Sequence, residues 1–294
     1  MYKLVIAVLL NGVLFLPVYA QFPTRTYLFF REPVDVVIPS IEKDLLTLEL
    51  CIESVKKYVH NVRRIIVVSD KKLTDQAEWF DEKQYPFTKL DVAQEIFQDA
   101  TLASLYLTHP KTRIGWIYQQ LLKLYAPLVI SGISSNVLVV DSDAIFLRPA
   151  MFIDANGCGL YGPGTRENSY FLTYMPYVDH MRRLHPDLTK LWSDFTGIAH
   201  HMLFQRPVIE DLFQLVEEHH GADFWRCFCR AIDPKHTFRS PCSEYEIYLS
   251  FLFSRTQQCK LRLLKWKDVK TLDDLSKLQA EGYHYVACHS YGRK

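Results

Sequence analysis

The chain has 294 residues, of which 49% are hydrophobic and 23% are charged, and this balance excludes disordered and low-complexity proteins. Its 34 basic and 33 acidic residues give a net charge of +1 without any long basic run, so nucleic acid is not expected as a partner. One compact α/β domain or two small ones fit this length.

Residues 1–20 have the pattern of a secretory signal peptide. Lys3 precedes the apolar run Leu4–Val18, and small residues stand at the −3 and −1 positions of a cleavage site before residue 21. The run is shorter than the roughly 20 residues that a membrane-spanning helix needs. We therefore predict a single domain over residues 21–294 in an exported protein or one of the secretory pathway, with a Golgi-type lumen as the eukaryotic compartment. An uncleaved signal anchor is the alternative, and a membrane is expected as a partner only in that case.

Two β-branched runs, Val34–Ser40 and Arg64–Asp70, predict buried strands. Between them, apolar residues recur at the spacing of one helix face: Leu48, Ile52, Val55 and Val59. The pattern predicts a βαβ unit with parallel strands. Because ligands bind beyond the carboxyl ends of parallel strands, Ser40 and Asp70 are expected at the edge of a binding site. The alternative is that Ser40 caps the next helix and Asp70 begins a turn.

The segment Gly115–Ala126 predicts a helix that Pro127 ends or kinks. Apolar residues cover most of its circumference, so we expect the helix to be buried. Gln120 and Lys123 then need partners inside the protein, because an unpaired buried amide or ammonium group is costly. A bound anion would satisfy Lys123, whereas the alternative is a lysine whose head group reaches solvent from the edge of the helix.

Two carboxylates follow a third predicted strand. The buried run Val137–Val140 leads directly into Asp141, Ser142 and Asp143. Hard divalent cations prefer oxygen ligands, so this strand end can hold Mn²⁺ or Mg²⁺ against a diphosphate and neutralise it as it departs. A loop with two aspartates is commonplace, and its position after an apolar strand is what favours the metal site.

Two later segments carry candidate catalytic residues. His200 and His201 are adjacent, and neighbouring residues of a strand face opposite ways, so at most one points into a site. His200 is the candidate, as a sugar ligand or proton carrier, with a core histidine as the alternative. Ser243 and Glu246 have the spacing of a capping box, which leaves Glu244 without a capping role. Glu244 is then a candidate general base or ligand of donor-sugar hydroxyls, unless it only complements the helix dipole.

Seven cysteines leave at least one unpaired: Cys51, Cys158, Cys227, Cys229, Cys242, Cys259 and Cys288. In an exported chain we expect them to be partly oxidised. Cys227 and Cys229 lack the spacing of a structural zinc site.

The order of these segments resembles the nucleotide-sugar domain of GT-A glycosyltransferases, and most strongly a poorly characterised group of glycosyltransferase-like proteins. Four segments carry the resemblance: Val36–Ser40, Val67–Asp70, Gln119–Lys123 and Val139–Asp143. The last residues, His289–Lys294, are similar to the HxxGxxK segment of glycogenin-like transferases, although one residue is missing between Gly292 and Lys294. The resemblance implies a metal site of Asp141, Asp143 and His289, with His284 as the competing histidine.

The same resemblance implies an α/β, Rossmann-like GT-A fold with a mostly parallel central sheet. It also implies transfer of a hexose from a nucleotide diphosphate sugar, expected to be UDP-linked, to a hydroxyl group of a glycan, lipid or protein, with Mn²⁺ or Mg²⁺ as cofactor. The implied donor-binding residues are Pro39, Ser40, Asp70, Gln120, Lys123, Asp141 and Ser142. An inactive carbohydrate- or nucleotide-binding protein of the same fold is the alternative, and a metal-dependent phosphohydrolase or nucleotidyltransferase is another.

Overall fold

A computed structural model describes residues 8–10, 13–15, 22–167, 172–290 and 292. The described strands are β1 (Val8–Leu10), β2 (Val13–Phe15), β3 (Val34–Pro39), β4 (Val62–Ser69), β5 (Glu78–Asp81), β6 (Asn136–Val140), β7 (Ala144–Phe146), β8 (Leu160–Tyr161), β9 (His201–Gln205), β10 (Lys260–Arg262), β11 (Trp266–Asp268) and β12 (Tyr285–Ala287). The described helices are α1 (Leu45–Tyr58), α2 (Lys89–Phe97), α3 (Ala100–Thr108), α4 (Ile114–Val129), α5 (Met175–Leu184), α6 (Arg206–His220), α7 (Phe224–Arg230), α8 (Glu244–Arg255) and α9 (Leu275–Ala280). No helix among these residues has both the length and the hydropathy to cross a membrane.

The central sheet has five strands in the order β5-β4-β3-β6-β9. The first four strands are mutually parallel, and β9 runs antiparallel to β6 at the edge. Helix α1 connects the parallel neighbours β3 and β4, so the predicted βαβ unit and the mostly parallel α/β sheet are confirmed. Strands β3 and β6 are buried along their whole length, as expected of apolar strands covered by helices on both faces.

Helix α4 lies against β3, β6 and β9 and is almost completely buried, as its apolar circumference predicted. It contains Pro127 and ends at Val129. Of the predicted end or kink at Pro127, the end is therefore wrong, and the kink stays a prediction. Proline removes one helical hydrogen bond, to the carbonyl of residue 123, and this loss falls in the last turn. The N–H of Ile130 still donates to the carbonyl of Ala126, 3.3 Å away, which closes the helix.

A second sheet brings the end of the chain to the end of β6. Strand β7 pairs antiparallel with β12, which pairs parallel with β11. Because Ala287 lies opposite Ala144, the residues after β12 lie beside the turn before β7. This register joins parts of the chain that are far apart in sequence, and it positions the site described below.

The third sheet has the order β1-β2-β10-β8, so part of the predicted signal pairs with β10 in the structure. The other residues of the predicted signal, 1–7, 11–12 and 16–20, lie outside the described ranges, and signal cleavage stays a prediction. All seven cysteines lie in described ranges and are free thiols, so the expected partial oxidation is not found.

Candidate active site

The turn between β6 and β7 carries the two predicted carboxylates. The N–H of Asp141 donates to the carbonyl of His200 at 2.9 Å, and the N–H of Ala144 returns to the carbonyl of Asp141 at 2.9 Å. Ser142 is buried inside this turn. Asp141 and Asp143 therefore leave the same end of a rigid, buried strand, as the sequence predicted.

His289 meets Asp143 at this turn. The N–H of Cys288 donates to the Asp143 carbonyl at 2.9 Å, and His289 Nδ1 lies 2.9 Å from Asp143 Oδ2. The competing histidine, His284, lies at the other end of β12, where its Nδ1 accepts from the backbone N–H of Lys265 at 3.1 Å. The structure thus brings His289, and not His284, to the predicted metal residues.

The donor set at this point fits a divalent cation. Ligand atoms of Asp143, His200 and His289 lie within 4.8 Å of one another. Among the described residues, Asp143 Oδ1 is buried and has no hydrogen-bond partner. A buried carboxylate oxygen is normally satisfied, so an unpartnered one beside two imidazoles is what a metal site would leave in the protein alone.

Of the two adjacent histidines, His200 faces the site. It precedes β9 in a left-handed conformation, with a φ of 57°, and its Nδ1 lies 3.3 Å from Asp141 Oδ2. His201 instead packs edge-on against the rings of Phe146 and Phe152. One histidine of the pair therefore points into the site, and this agrees with the prediction that at most one of them would do so.

Asp268 completes a ring of charged groups that the sequence analysis did not anticipate. Its Oδ1 lies 3.4 Å from His200 Nε2 and 3.4 Å from His289 Nε2. Burial lowers the pKa of His289, but hydrogen bonds to Asp143 and Asp268 outweigh it and raise that pKa to about 10. For His200 too, bonds to Asp141 and Asp268 overcome the effect of burial and raise its pKa. These carboxylates therefore favour the protonated form of both imidazoles, and a divalent cation would compete with those protons.

Lys123 lies behind the first aspartate, buried between two carboxylates. Its Nζ is 2.6 Å from Asp141 Oδ1 and 2.7 Å from Glu244 Oε1, and it lies 4.3 Å from the centre of the Tyr245 ring. The lysine side chain is 3% exposed, so the alternative of a head group in solvent is wrong. Burial alone would raise the pKa of Asp141, but Lys123 and then His200 hold it well below its usual range.

Glu244 and Tyr245 belong to the first turn of α8. Ser243 Oγ accepts from the N–H of Glu246 at 3.2 Å, which confirms the predicted cap. The Glu246 carboxylate does not complete the capping box; it accepts from Thr196 Oγ1 at 2.6 Å instead. Tyr245 donates its hydroxyl to Asp141 Oδ1 at 3.1 Å. Glu244 is 2% exposed, and burial raises the pKa of its carboxyl group against the opposing effect of Lys123.

Three of the predicted donor-binding residues lie at the carboxyl ends of β3 and β4: Pro39, Ser40 and Asp70. The Ser40 N–H donates to the Val68 carbonyl at 3.0 Å, and Asp70 is exposed just after β4. The Pro39 carbonyl accepts from the Gln119 side chain at 3.5 Å. Ser40 Oγ is buried and has no hydrogen-bond partner among the described residues.

Gln120 is satisfied within the protein. Its amide nitrogen donates to the Trp116 carbonyl at 3.2 Å, and its oxygen accepts from the Glu244 N–H at 3.5 Å. Of the glycogenin-like segment, Tyr291, Arg293 and Lys294 lie outside the described residues.

Comparison with known proteins places the chain in a family. Residues 31–287 match the model of a family of unknown function, DUF6492. The chain belongs to this family. No curated protein sequence matches this DUF6492 chain.

Solved structures that are similar to the DUF6492 chain include two apo structures. The apo crystal structure of mouse xyloside xylosyltransferase 1 has 9% sequence identity and a TM-score of 0.39, over 90% of this chain and 99% of that one. The apo structure of the bifunctional glycosyltransferase WbbM has 14% identity and a TM-score of 0.44, over 92% of this chain and 48% of that one. The DUF6492 chain thus spans about half the length of the WbbM chain.

The two site residues that sequence reasoning missed in this DUF6492 chain had weak signals. Asp268 ends a short strand that begins at the buried Trp266, so it repeats the pattern of an acid after a strand that singled out Asp141. A strand of 3 residues is too short to stand out in a hydropathy pattern. Tyr245 lies between Glu244 and Glu246, and the sequence pattern in this segment singled out the two glutamates instead.

Proposed function

We propose that the protein is a metal-dependent glycosyltransferase of GT-A type that transfers a hexose from a nucleotide diphosphate sugar, UDP-linked, to an acceptor hydroxyl. The observation that carries the proposal is the meeting of Asp141 and Asp143, at the end of β6, with His289 from the end of the chain. Carboxylates at the end of a buried parallel strand are suited to a cation that faces a diphosphate. The order of β3, β4, α4 and β6 along the chain also supports the proposal, because it is the order of segments that resembles GT-A glycosyltransferases.

Asp143 and His289 would hold Mn²⁺ or Mg²⁺, with Asp141 beside them. The ion would supply positive charge that stabilises the nucleoside diphosphate as a leaving group. Lys123 and Tyr245 orient Asp141 through Oδ1, and Oδ2, which lies 3.3 Å from His200 Nδ1, would contact the metal or the ribose of the donor.

The donor nucleoside would lie at the carboxyl edge of β3 and β4, against Pro39, Ser40 and Asp70. Ser40 Oγ, which has no hydrogen-bond partner in the described part of the chain, offers a hydrogen bond there. Ser142 is buried in the turn, and its backbone would lie beside the phosphates of the donor. Gln120 and Lys123 act indirectly, because the contacts of both are made with protein groups.

For acid–base chemistry the proposal has two candidates, His200 and Glu244. His200 faces the carboxylate cluster and lies 3.3 Å from Asp141. Glu244 is held by Lys123, so its first role is to position that lysine. A hydroxyl of a glycan, lipid or protein is the acceptor in this proposal.

The proposed compartment is the secretory pathway or the exterior, in keeping with the signal-like first 20 residues. A lumen of Golgi type would supply the sugar nucleotide. A membrane enters the proposal only if the N-terminal segment stays attached.

The test is release of nucleoside diphosphate by the purified full chain from a panel of sugar nucleotides, with Mn²⁺ and with EDTA. We expect release from one donor, abolished by EDTA and lowered by about 100-fold or more in Asp143→Ala, since the metal provides several kcal/mol of charge stabilisation. Asp273→Asn, at an exposed carboxylate, is the matched control and should behave as wild type. Saturable donor binding without product would favour the inactive binding protein, and release of free phosphate or pyrophosphate would favour the hydrolase or nucleotidyltransferase.

A further inference from the structure

We propose that Arg113, held against the ring of Trp116, binds the acceptor and selects an acidic sugar, one that carries a carboxylate or a phosphate. This inference rests on the proposed function, because it names the class of acceptor to which that function transfers its hexose. The residues that carry it belong to α3, α4 and the loop before α8, and they lie outside the carboxylate cluster at the end of β6.

The start of α4 projects past the carboxyl edge of the central sheet. The Gln119 side chain lies 3.5 Å from the carbonyl of Pro39, the last residue of β3. Helix α4 leads through residues 130–135 into the start of β6, so it runs away from that edge, toward the amino ends of the strands. Residues before Gln119 therefore extend beyond the strand ends, by about 9 Å at Arg113. Arg113 and Trp116 thus stand over the side of the sheet where ligands bind.

The Arg113 guanidinium group is stacked on an aromatic ring and has no acidic partner. Its Cζ lies 5.0 Å from the centre of the Trp116 ring, and both residues are partly exposed. Within the described ranges no carboxylate forms an ion pair with Arg113, whereas Arg63 pairs with Asp35. A guanidinium group stays protonated and offers a planar fork that fits a carboxylate or a phosphate. The stacking orients this fork and leaves its charge available to a bound anion.

Tyr106 fixes Arg113 next to the loop before α8. Tyr106 is buried, and its hydroxyl accepts from the Arg113 N–H at 3.2 Å and donates to the Thr237 carbonyl at 2.9 Å. The same loop leads into Glu244, whose N–H donates to Gln120 Oε1 at 3.5 Å. Arg113 is thus tied to the loop that carries Glu244, one of the two candidates for acid–base chemistry. An acceptor held by Arg113 would extend its reacting hydroxyl toward Glu244.

An exposed aromatic ring supplies apolar surface for the sugar. Phe238 is 47% exposed, and its ring packs edge-on against Tyr106 and His109, with ring centres 5.3 and 4.7 Å apart. Tyr106 therefore holds both Phe238 and Arg113. Ligand sites combine aromatic surface with a few polar groups that fix orientation. A sugar ring with an acidic substituent has the matching combination of a C–H face and a charge, so this set favours an acidic sugar over a free inorganic anion.

The position of Arg113 assigns the anion to the acceptor and not to the donor. The proposed donor has its nucleoside at the ends of β3 and β4 and its diphosphate at Asp143. Arg113 precedes Lys123 by ten residues, about 15 Å along the helix axis, and Lys123 contacts Asp141 beside that diphosphate. A charged group at Arg113 therefore belongs to the second substrate.

The experiment is isothermal titration calorimetry of the full chain in the presence of uridine diphosphate and Mn²⁺. The probes are methyl glucuronide, glucose 6-phosphate and the neutral methyl glucoside. We expect an acidic sugar to bind at least about tenfold more tightly than the neutral one, because the pair with arginine is charge-assisted. Binding of only one acidic probe would identify the acidic group as carboxylate or phosphate.

Variants of the stacked pair test the assignment. Arg113→Met should abolish the preference for acidic sugars, and Arg113→Lys should retain part of it, since lysine keeps the charge without the planar fork. Trp116→Leu should lower the preference severalfold, and Trp116→Phe should restore it, because an aromatic ring is what orients Arg113. Arg31→Met, at an exposed position before β3, is the matched control and should bind as wild type. Circular dichroism verifies the fold of each variant.

Two outcomes overturn the inference directly. Equal affinity of the wild type for acidic and neutral sugars, or no binding of either acidic probe at millimolar concentration, would contradict an acidic acceptor. A preference that persists in Arg113→Met would assign it to another cation. If Arg113→Met instead removes a preference for UDP-glucuronate over UDP-glucose, the anion belongs to the donor and the acceptor assignment fails.

The outcomes also separate this inference from the proposed function. Donor turnover by a chain without a preference for acidic sugars would overturn the inference and leave the glycosyltransferase standing. Binding of acidic sugars through Arg113 by a chain that turns over no donor would overturn the transferase and favour the carbohydrate-binding protein.

Discussion

Lys123 shows how one buried charge organises the candidate site. Its ammonium group bridges Asp141 and Glu244, which lie 18 and 121 residues away in sequence. The two acids share this one cation, because the same Nζ lies 2.6 Å from Asp141 Oδ1 and 2.7 Å from Glu244 Oε1. Without the lysine, the buried carboxyl group of Glu244 would face the partly buried one of Asp141, and their repulsion would favour protonation of one of them.

At this residue scale, we expect Lys123→Met to lower the free energy of unfolding by about 3–5 kcal/mol, because it leaves the buried Glu244 carboxylate and the partly buried Asp141 carboxylate without their shared cation. Glu244→Gln in the same chain should recover part of that loss, since it removes one of the two charges. Denaturant titrations of the wild type, both single variants and the double variant give the coupling energy. Strictly additive effects of the two substitutions would contradict a direct interaction between Lys123 and Glu244.

The N-terminal turn of α8 is the element that supports Lys123 and Asp141, and a glycine keeps it in place. A Cβ atom at Gly197 would lie 2.4 Å from the Tyr245 backbone oxygen and 2.8 Å from Glu246 Cα. The Gly197 N–H also donates to Glu246 Oε2 at 2.9 Å. The loop before β9 thus packs backbone to backbone against α8, which only glycine allows at this separation.

At the element scale, we expect Gly197→Ala to destabilise the protein by about 1–3 kcal/mol, because the added methyl group forces the loop away from α8. The same shift should lower metal affinity, since α8 orients Asp141 through Tyr245. Gly115→Ala is the matched control: its Cβ meets nothing within 4 Å in helix α4, so stability should stay equal or rise. Thermal unfolding and Mn²⁺ titration measure both effects, and equal behaviour of the two variants would refute the close approach.

The whole molecule is held together by its hydrophobic core and not by disulfides. The core runs from β3 and β4 through α1, α4 and α8, and it includes five of the seven cysteines as buried thiols. Cys288 is buried outside this cluster, and Cys158 is partly exposed. Burial raises the pKa of Cys51 and Cys229 well above the ordinary range. Thiolates are the reactive species, so these cysteines are chemically protected while the protein is folded.

At the scale of the whole molecule, we therefore expect one fast-reacting thiol in the folded chain, that of Cys158, and seven after unfolding in denaturant without reductant. Thiol titration with a chromogenic disulfide, on protein purified under nitrogen, measures both numbers. Cys158→Ser is the control and should remove only the fast phase. Fewer than seven thiols in the unfolded chain would reveal a disulfide and contradict the all-thiol structure.

Sequence alone determined the local features of this protein. The β-branched runs before Ser40 and Asp141, and the apolar stripes of the helix around Lys123, predicted buried elements because burial of a periodic apolar face is a local requirement. The candidate metal residues Asp141 and Asp143 could be singled out for the same reason, since their strand and their turn are contiguous in the chain. The need of Lys123 for a partner also followed, but the identity of that partner did not.

Only the tertiary structure decided which distant residues share the site. The pairing of β12 with β7 selected His289 over His284 and brought it to Asp143, 146 residues earlier in the chain. The parallel pairing of β11 with β12 placed Asp268 between His200 and His289, an arrangement that no local sequence pattern predicted. Register between strands depends on packing across the whole sheet, and a shift of one residue would turn these side chains to the opposite face. The sequence pattern therefore identified the strand end, whereas the set of groups that meet there was determined by long-range packing.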